Sequence, residues 1–229
     1  MPNRMPVNGE LLRVGGKIKV SKNGPYFVSG EIPLSTQTIG IDAAGYSYEW
    51  REGKIYPSRE SYALCRCGRS KTKPFCDGTH TKIHFDGKEK AGRESYLRQA
   101  RNILGPALDL TDAEALCAEA RFCDRAGGTW KLTSQSDDPN ARVIAIQEAG
   151  LCPSGRLVVW DKEGKPIEPS FELSIVVVED HLKNMEGPIW VRDGIPIESA
   201  DGYTYELRNR ITLCRCGKSR NKPFCDGSH

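Results

Sequence analysis

The stretch that most constrains this chain is Cys214-Arg-Cys-Gly-Lys-Ser-Arg-Asn-Lys-Pro-Phe-Cys-Asp-Gly-Ser-His229, because it occurs twice. Its twin places Cys65, Cys67, Cys76 and His80 at the same spacing as Cys214, Cys216, Cys225 and His229. In an extended segment alternate side chains share a face, so the first two thiols of each motif can converge. The third Cys and the His are four residues apart, one turn of a helix. Between them, Asp-Gly supplies a carboxylate that can cap amides and a residue free to take positive φ. Three thiols and an imidazole at this spacing are a metal-ligand pattern rather than a disulfide pattern. A structural zinc site usually spaces its first pair by two to four residues. Iron and sulfide fit the one-residue gap better.

At every signature position both motifs resemble the CDGSH iron-sulfur, or NEET, family, in its members with two motifs per chain; Thr79 in place of Ser is a mild departure. The resemblance implies a 2Fe-2S cluster per motif, with Cys65, Cys67, Cys76 and His80 as one ligand set and Cys214, Cys216, Cys225 and His229 as the other. It also implies that the halves pair as an intramolecular pseudo-dimer with exchanged strands. Such a cluster is anionic, and Arg66, Arg69, Lys71 and Lys73, with Arg215, Lys218, Arg220 and Lys222, are the cations available to offset it.

A wider repeat agrees with that pairing. Gly24-Pro25-Tyr26-Phe27-Val28, then Ile32-Pro33-Leu34, matches Gly187-Pro188-Ile189-Trp190-Val191, then Ile195-Pro196-Ile197. A unit so poor in apolar residues could hardly bury a core alone, and packing against its copy is the remedy. Tyr26, Phe27, Trp50 and Trp190 are expected in that core. The chain divides into a lead-in (1–16), a first CDGSH repeat (17–80), an inserted segment (81–180) and a second repeat (181–229).

The insert reads as α+β, so the fold class is α+β throughout. Helices are predicted over 91–104, from Thr111 with a Thr111/Glu114 capping box, and from Asp138 with Pro139 in its first turn. Strands are predicted at 129–133, 156–160 and 173–178. Cys117, Cys123 and Cys152 belong to this segment. Cys117 and Cys123 keep the outer spacing of a ferredoxin C-x2-C-x2-C with Ala120 in the middle place, and Cys152-Pro153 supplies the remote half. This resembles, more weakly, divergent single-cluster ferredoxins and implies a 3Fe-4S or 4Fe-4S cluster. Free Cys is also among the most buried residue types, so three structural thiols remain the competing reading. One regular helix through Cys117 and Cys123 would exclude the cluster.

Nine cysteines, an odd number with six in the motifs, favour a reducing compartment, and the cytoplasm is expected. No apolar run approaches a membrane span and residues 1–20 lack a signal-peptide core. A formal charge of +3 excludes no partner strongly but offers nothing for nucleic acid. The expected function is electron transfer, and in addition cluster transfer, by two 2Fe-2S clusters; the partner is a redox protein or an apo iron-sulfur acceptor protein. The chain is expected to be a carrier rather than an enzyme. The alternatives are a zinc-stabilised interaction module and an oxidoreductase that uses the clusters as a relay. His229 ends the sequence whereas His80 does not, so the two sites are expected to differ.

Overall fold

The computed structural model describes residues 15–182 and 184–229. The lead-in expected over 1–16 lies, as far as Val14, outside them. The first half contributes strands β1 (Lys17–Val20), β2 (Tyr26–Ser29), β3 (Leu34–Ile41), β4 (Ser47–Ile55) and β5 (Ser61–Leu64), then the short helix α1 (Thr79–Lys82). The middle contributes α2 (Tyr96–Gln99), β6 (Arg101–Leu104), β7 (Asp109–Asp112), α3 (Thr129–Ser134), α4 (Pro139–Leu151), β8 (Leu157–Trp160) and β9 (Pro166–Ile167). The second half contributes β10 (Ser174–Asp180), β11 (Met185–Arg192), β12 (Ile197–Glu198) and β13 (Arg210–Leu213).

Two sheets carry the repeat, with strand orders β12-β1-β2-β5 and β13-β11-β10-β3-β4. Each holds one strand lent by the other half. β12 lies parallel to β1, pairing Ile18 with Ile197, and β3 lies parallel to β10, pairing Ile175 with Leu34. The remaining registers correspond as well: Tyr26 faces Leu64 as Ile189 faces Leu213, and Phe27 faces Ala63 as Trp190 faces Thr212. A pseudo-two-fold therefore exchanges β1 with β10, β2 with β11, β5 with β13 and β3 with β12; β4 has no counterpart.

Alternation along these strands decides which side chains meet. Ile18, Val20, Tyr26, Val28 and Leu64 from one sheet share a core with Ile175, Val177, Ile189, Val191 and Leu213 from the other. Full burial of such a side chain is worth roughly 1.5–3 kcal/mol, and neither sheet could achieve it without the other. The parallel β1–β12 and β3–β10 pairs close the arrangement. The expected exchange between halves is thus present.

The insert builds a second core from its own sheet, β6-β7-β8-β9, with Leu110, Leu157 and Val159 against Leu132, Ala145 and Ala149 of α3 and α4. α4 begins as predicted: Asp138 accepts hydrogen bonds from the amides of Asn140 and Ala141, and Pro139 fills the first turn. Three other expectations are corrected. The helix over 91–104 shrinks to α2, because Gly105-Pro106 opens a hairpin turn between β6 and β7 instead of stopping a helix. Thr111 caps no helix; it pairs within β7, and its hydroxyl accepts the indole N–H of Trp160. Residues 129–133 form helix α3 rather than a strand. Gly127 and Gly128, both at positive φ, turn the chain into it, and Thr129, Leu132 and Thr133 make its buried face.

Among the described residues no helix is long and apolar enough to cross a membrane.

Candidate functional site

Each motif leaves the last strand of its sheet and folds back on it. The amides of Cys65 and Cys214 donate to the carbonyls of Pro74 and Pro223, both at 2.8 Å, and those of Cys76 and Cys225 donate to Ala63 and Thr212, both at 2.9 Å. Ser70 and Ser219 brace the loops through their hydroxyls, which donate to the Phe75 and Phe224 carbonyls at 2.6 and 2.7 Å. Asp77 and Asp226 clamp them. Asp77 accepts the amides of Lys71 and Thr79, and Asp226 those of Arg220 and Ser228. The two amides and the Thr79 hydroxyl hold the exposed Asp77 carboxyl well below its usual range. At Asp226 partial burial works upward, and the hydrogen bonds from Ser228 and Arg220 overcome it.

Arg66 and Arg215 are buried at equivalent positions, and each ties its motif to the strands beneath. Arg66 donates to the carbonyls of Ser21 and Gly87; Arg215 donates to those of Val178 and Gly187 and pairs with Glu179. Tyr26 crosses the pseudo-two-fold, its hydroxyl donating to either Cys214 or Pro223 carbonyl at 2.7 and 3.0 Å. At the axis itself the backbones of Cys67 and Cys216 pair as an isolated antiparallel β-bridge, with Gly68 and Gly217 beside it at positive φ. A Cβ on Gly68 would stand 2.7 Å from the Cys216 carbonyl oxygen. Only glycine permits that approach.

The motif side chains meet in pairs. Cys65 and Cys67 have their sulfurs 3.8 Å apart, and Cys214 and Cys216 theirs 3.7 Å apart. Cys76 lies 3.3 Å from His80 Nδ1, and Cys225 lies 3.5 Å from His229 Nδ1. The hydrogen bond with Cys216, joined by backbone amides, holds Cys214 down at about 6 against burial, while Cys216 is pushed up by the same bond and by its own burial. Burial raises Cys67, Cys76 and Cys225, the last to about 12.

Residues 23–81 and 186–229 match the family described as iron-binding zinc finger, CDGSH type. Residues 103–162 match the family described as divergent 4Fe-4S mono-cluster. Two CDGSH-type domains flank a ferredoxin-like insert. No curated protein is similar enough to the chain to count as a relative. The CDGSH-type domains are the strand-exchanged halves described above, and the ferredoxin-like match spans β6 to β8 with the helices between them.

The cofactor expectation is corrected. Among the described residues no group of three or more His, Cys, Asp or Glu side chains is arranged to hold a metal ion. The donors of each motif lie in two pairs, thiol to thiol and thiol to imidazole. Without such a group the expected two 2Fe-2S clusters are not supported, and the functions built on them, electron and cluster transfer by iron-sulfur centres, are withdrawn with them, as are the zinc-module and relay alternatives. The same finding removes the 3Fe-4S or 4Fe-4S cluster at Cys117, Cys123 and Cys152. No regular helix joins Cys117 to Cys123, since only 3-10 turns at Glu114–Leu116 and Phe122–Gly127 flank them. Their thiols nonetheless turn to separate neighbours: Cys117 to Glu119, Cys123 to Asp124 and Cys152 to Ser154.

The insert touches both motifs, Phe85 packing on Cys65 and Cys67 and Gly87 accepting from Arg66, and it covers the second motif at further points around Lys222. The Asn221 side-chain amide donates to the Ala115 carbonyl, Glu119 lies against Gly227, and the amides of Lys90 and Ala91 donate to the Lys222 carbonyl. Lys222 is accordingly buried, whereas its counterpart Lys73 is exposed and bonds Glu186 at 2.8 Å. Sequence reasoning read the basic residues as cations offsetting an anionic cluster. It missed that Arg66, Arg215 and Lys222 are structural, a role their neighbours in sequence do not signal.

Proposed function

We propose that the chain is a thiol-based redox protein in which each CDGSH-type domain carries a dithiol that exchanges with a redox partner protein. The observation that supports it is the thiol pair repeated in both halves, at 3.8 Å in one and 3.7 Å in the other, on the same framework of backbone hydrogen bonds. In the exchange, one thiolate of the pair attacks a disulfide of the partner and releases one partner thiol; the second thiolate then attacks the mixed disulfide and releases the other. One S–S bond forms in the chain, one breaks in the partner, and two protons pass to the partner's sulfurs. His80 and His229 stand beside the third thiol, where an imidazole can hold a proton in transit. The site residues proposed are Cys65, Cys67, Cys76 and His80 with Cys214, Cys216, Cys225 and His229. All nine cysteines are free, which supports a reducing compartment such as the cytoplasm.

Anaerobically purified full-length protein, equilibrated in glutathione buffers of graded potential and mapped by mass spectrometry, tests this. The expected result is loss of two hydrogens per motif, located at Cys65/Cys67 and Cys214/Cys216, with a defined midpoint. Four thiols that stay reduced across the whole range overturn the reading. So does protein that is isolated with stoichiometric iron and acid-labile sulfide and keeps these thiols blocked.

A further inference from the structure

The pseudo-two-fold gives the two sheets equivalent outer faces, and among the described residues only one is covered. On the sheet built around β11, Val176, Val178 and Trp190 lie under Phe122 and Phe171, and Trp190 is 2% exposed. The Phe171 ring meets Trp190 edge-on at 5.3 Å. On the sheet built around β2, the register position of Trp190 belongs to Phe27, which is 51% exposed. A shallow depression of about 380 Å³ opens there, lined by Phe27, Lys17, Lys19, Ser29 and Ser61 among others.

We infer that this face is a docking surface for a partner protein, engaged through an acidic segment that carries an aromatic or aliphatic side chain. Phe27 supplies an apolar anchor point of the kind that dominates interface energetics, set in a concavity and ringed by polar groups. The ring of charge sets the chemistry of the occupant. Lys19 stands where the covered sheet has Val176, and Lys17 where it has Ser174, as the β1–β2 and β10–β11 registers show. An apolar cover like the insert would bury two ammonium groups, a cost that only carboxylates offset. Glu198 reaches both lysines, at 2.6 and 3.1 Å, so that among the described residues one carboxylate serves two ammonium groups. Opposite charge on the partner then fixes register and speeds encounter. The inference is independent of the thiol chemistry proposed above.

A fluorescein-labelled peptide alternating aspartate with tryptophan and phenylalanine, and a control with lysine for aspartate, are titrated against the full chain by anisotropy. The acidic peptide is expected to bind at least tenfold more tightly than the control. Phe27→Ser and Lys19→Glu are each expected to weaken it at least fivefold, with thermal melts unchanged because both side chains are at the surface. Equal binding of the two peptides, or of the Phe27→Ser variant, overturns the inference. So does binding that appears only after residues 1–14 are deleted, which would make that segment the occupant. Self-association in sedimentation velocity that Phe27→Ser abolishes would assign the face to a second copy, and equally overturns it.

Discussion

The two CDGSH-type halves share strand order, register and motif hydrogen bonds, but among the described residues the outer face of one is sealed by the insert and that of the other is open. Trp190 and Phe27 occupy one position of the fold, as do Val176 and Lys19, Lys222 and Lys73, and Arg210 and Ser61. Where the insert lies, Trp190 and Val176 are buried, and Arg210, 1% exposed, donates to the carbonyls of Gly150 and Leu157. Where it does not, Phe27 is half-exposed and Lys19 and Lys73 are exposed. The inner faces show no such divergence, because among the described residues the two sheets cover each other. A position is thus constrained by what lies on it, and the outer faces of the two halves have been free to become a core and a surface.

The largest test of this comparison is a matched pair of truncations. Trp190→Ala is expected to cost about 3–5 kcal/mol in urea denaturation, as for large aromatics removed from a sealed core. Phe27→Ala, at the equivalent but half-exposed place, is expected to cost under about 1 kcal/mol. Similar losses would mean that the insert adds little to the second half.

A smaller effect probes the insert itself. Glu148 of α4 is fully buried; its Oε2 accepts the Thr129 hydroxyl, and its Oε1 has no hydrogen bond, with Arg125 Nε 3.8 Å away. Burial pushes its carboxyl up to about 7, against the lowering influence of Thr129 and Arg125. The folded state therefore holds this proton more tightly than the unfolded one, so its contribution is full below about 4.5 and is lost as pH rises through about 7. That window corresponds to about 3 kcal/mol. Glu148→Gln is expected to remove the slope and raise stability at pH 8 by roughly 1–2 kcal/mol. An unchanged slope between acid and pH 8 would place the titration elsewhere.

The smallest contrast lies within the motifs. Gly78 and Gly227 both have φ near the left-handed region, at 84° and 78°, so alanine strains each alike. A Cβ at Gly78 meets nothing within 4 Å, but one at Gly227 would stand 2.3 Å from Glu119 Cγ. Gly227→Ala is expected to exceed Gly78→Ala by about 1 kcal/mol. Equal costs would show that the Glu119 segment yields freely.

Much of this molecule was legible in its sequence where the signal is local or repeated. The motif thiols, the Asp-Gly clamp, the paired strands and the Asp138 cap each depend on a few neighbouring residues whose geometry the chain itself dictates. Repetition added what local signals lack, since two poor cores imply one shared core. The insert was less legible. Gly105-Pro106 serves a helix stop and a hairpin turn equally well, and only pairing of β6 with β7 decides between them. Thr111 and Glu114 spell a capping box, but two strand partners, Asn102 and Val158, and the Tyr96 hydroxyl claim the threonine first.

Sequence alone determined that two like motifs would sit in two halves sharing a core, because spacing and repetition are properties of the chain; the exchange of strands was implied by the family resemblance. Tertiary structure decided how the donors meet, in pairs rather than around one centre, and which half the insert would cover. Phe27 and Trp190 look alike as apolar strand residues. Only the packing of a distant segment, set by contacts between residues far apart in the chain, left one at the surface and buried the other.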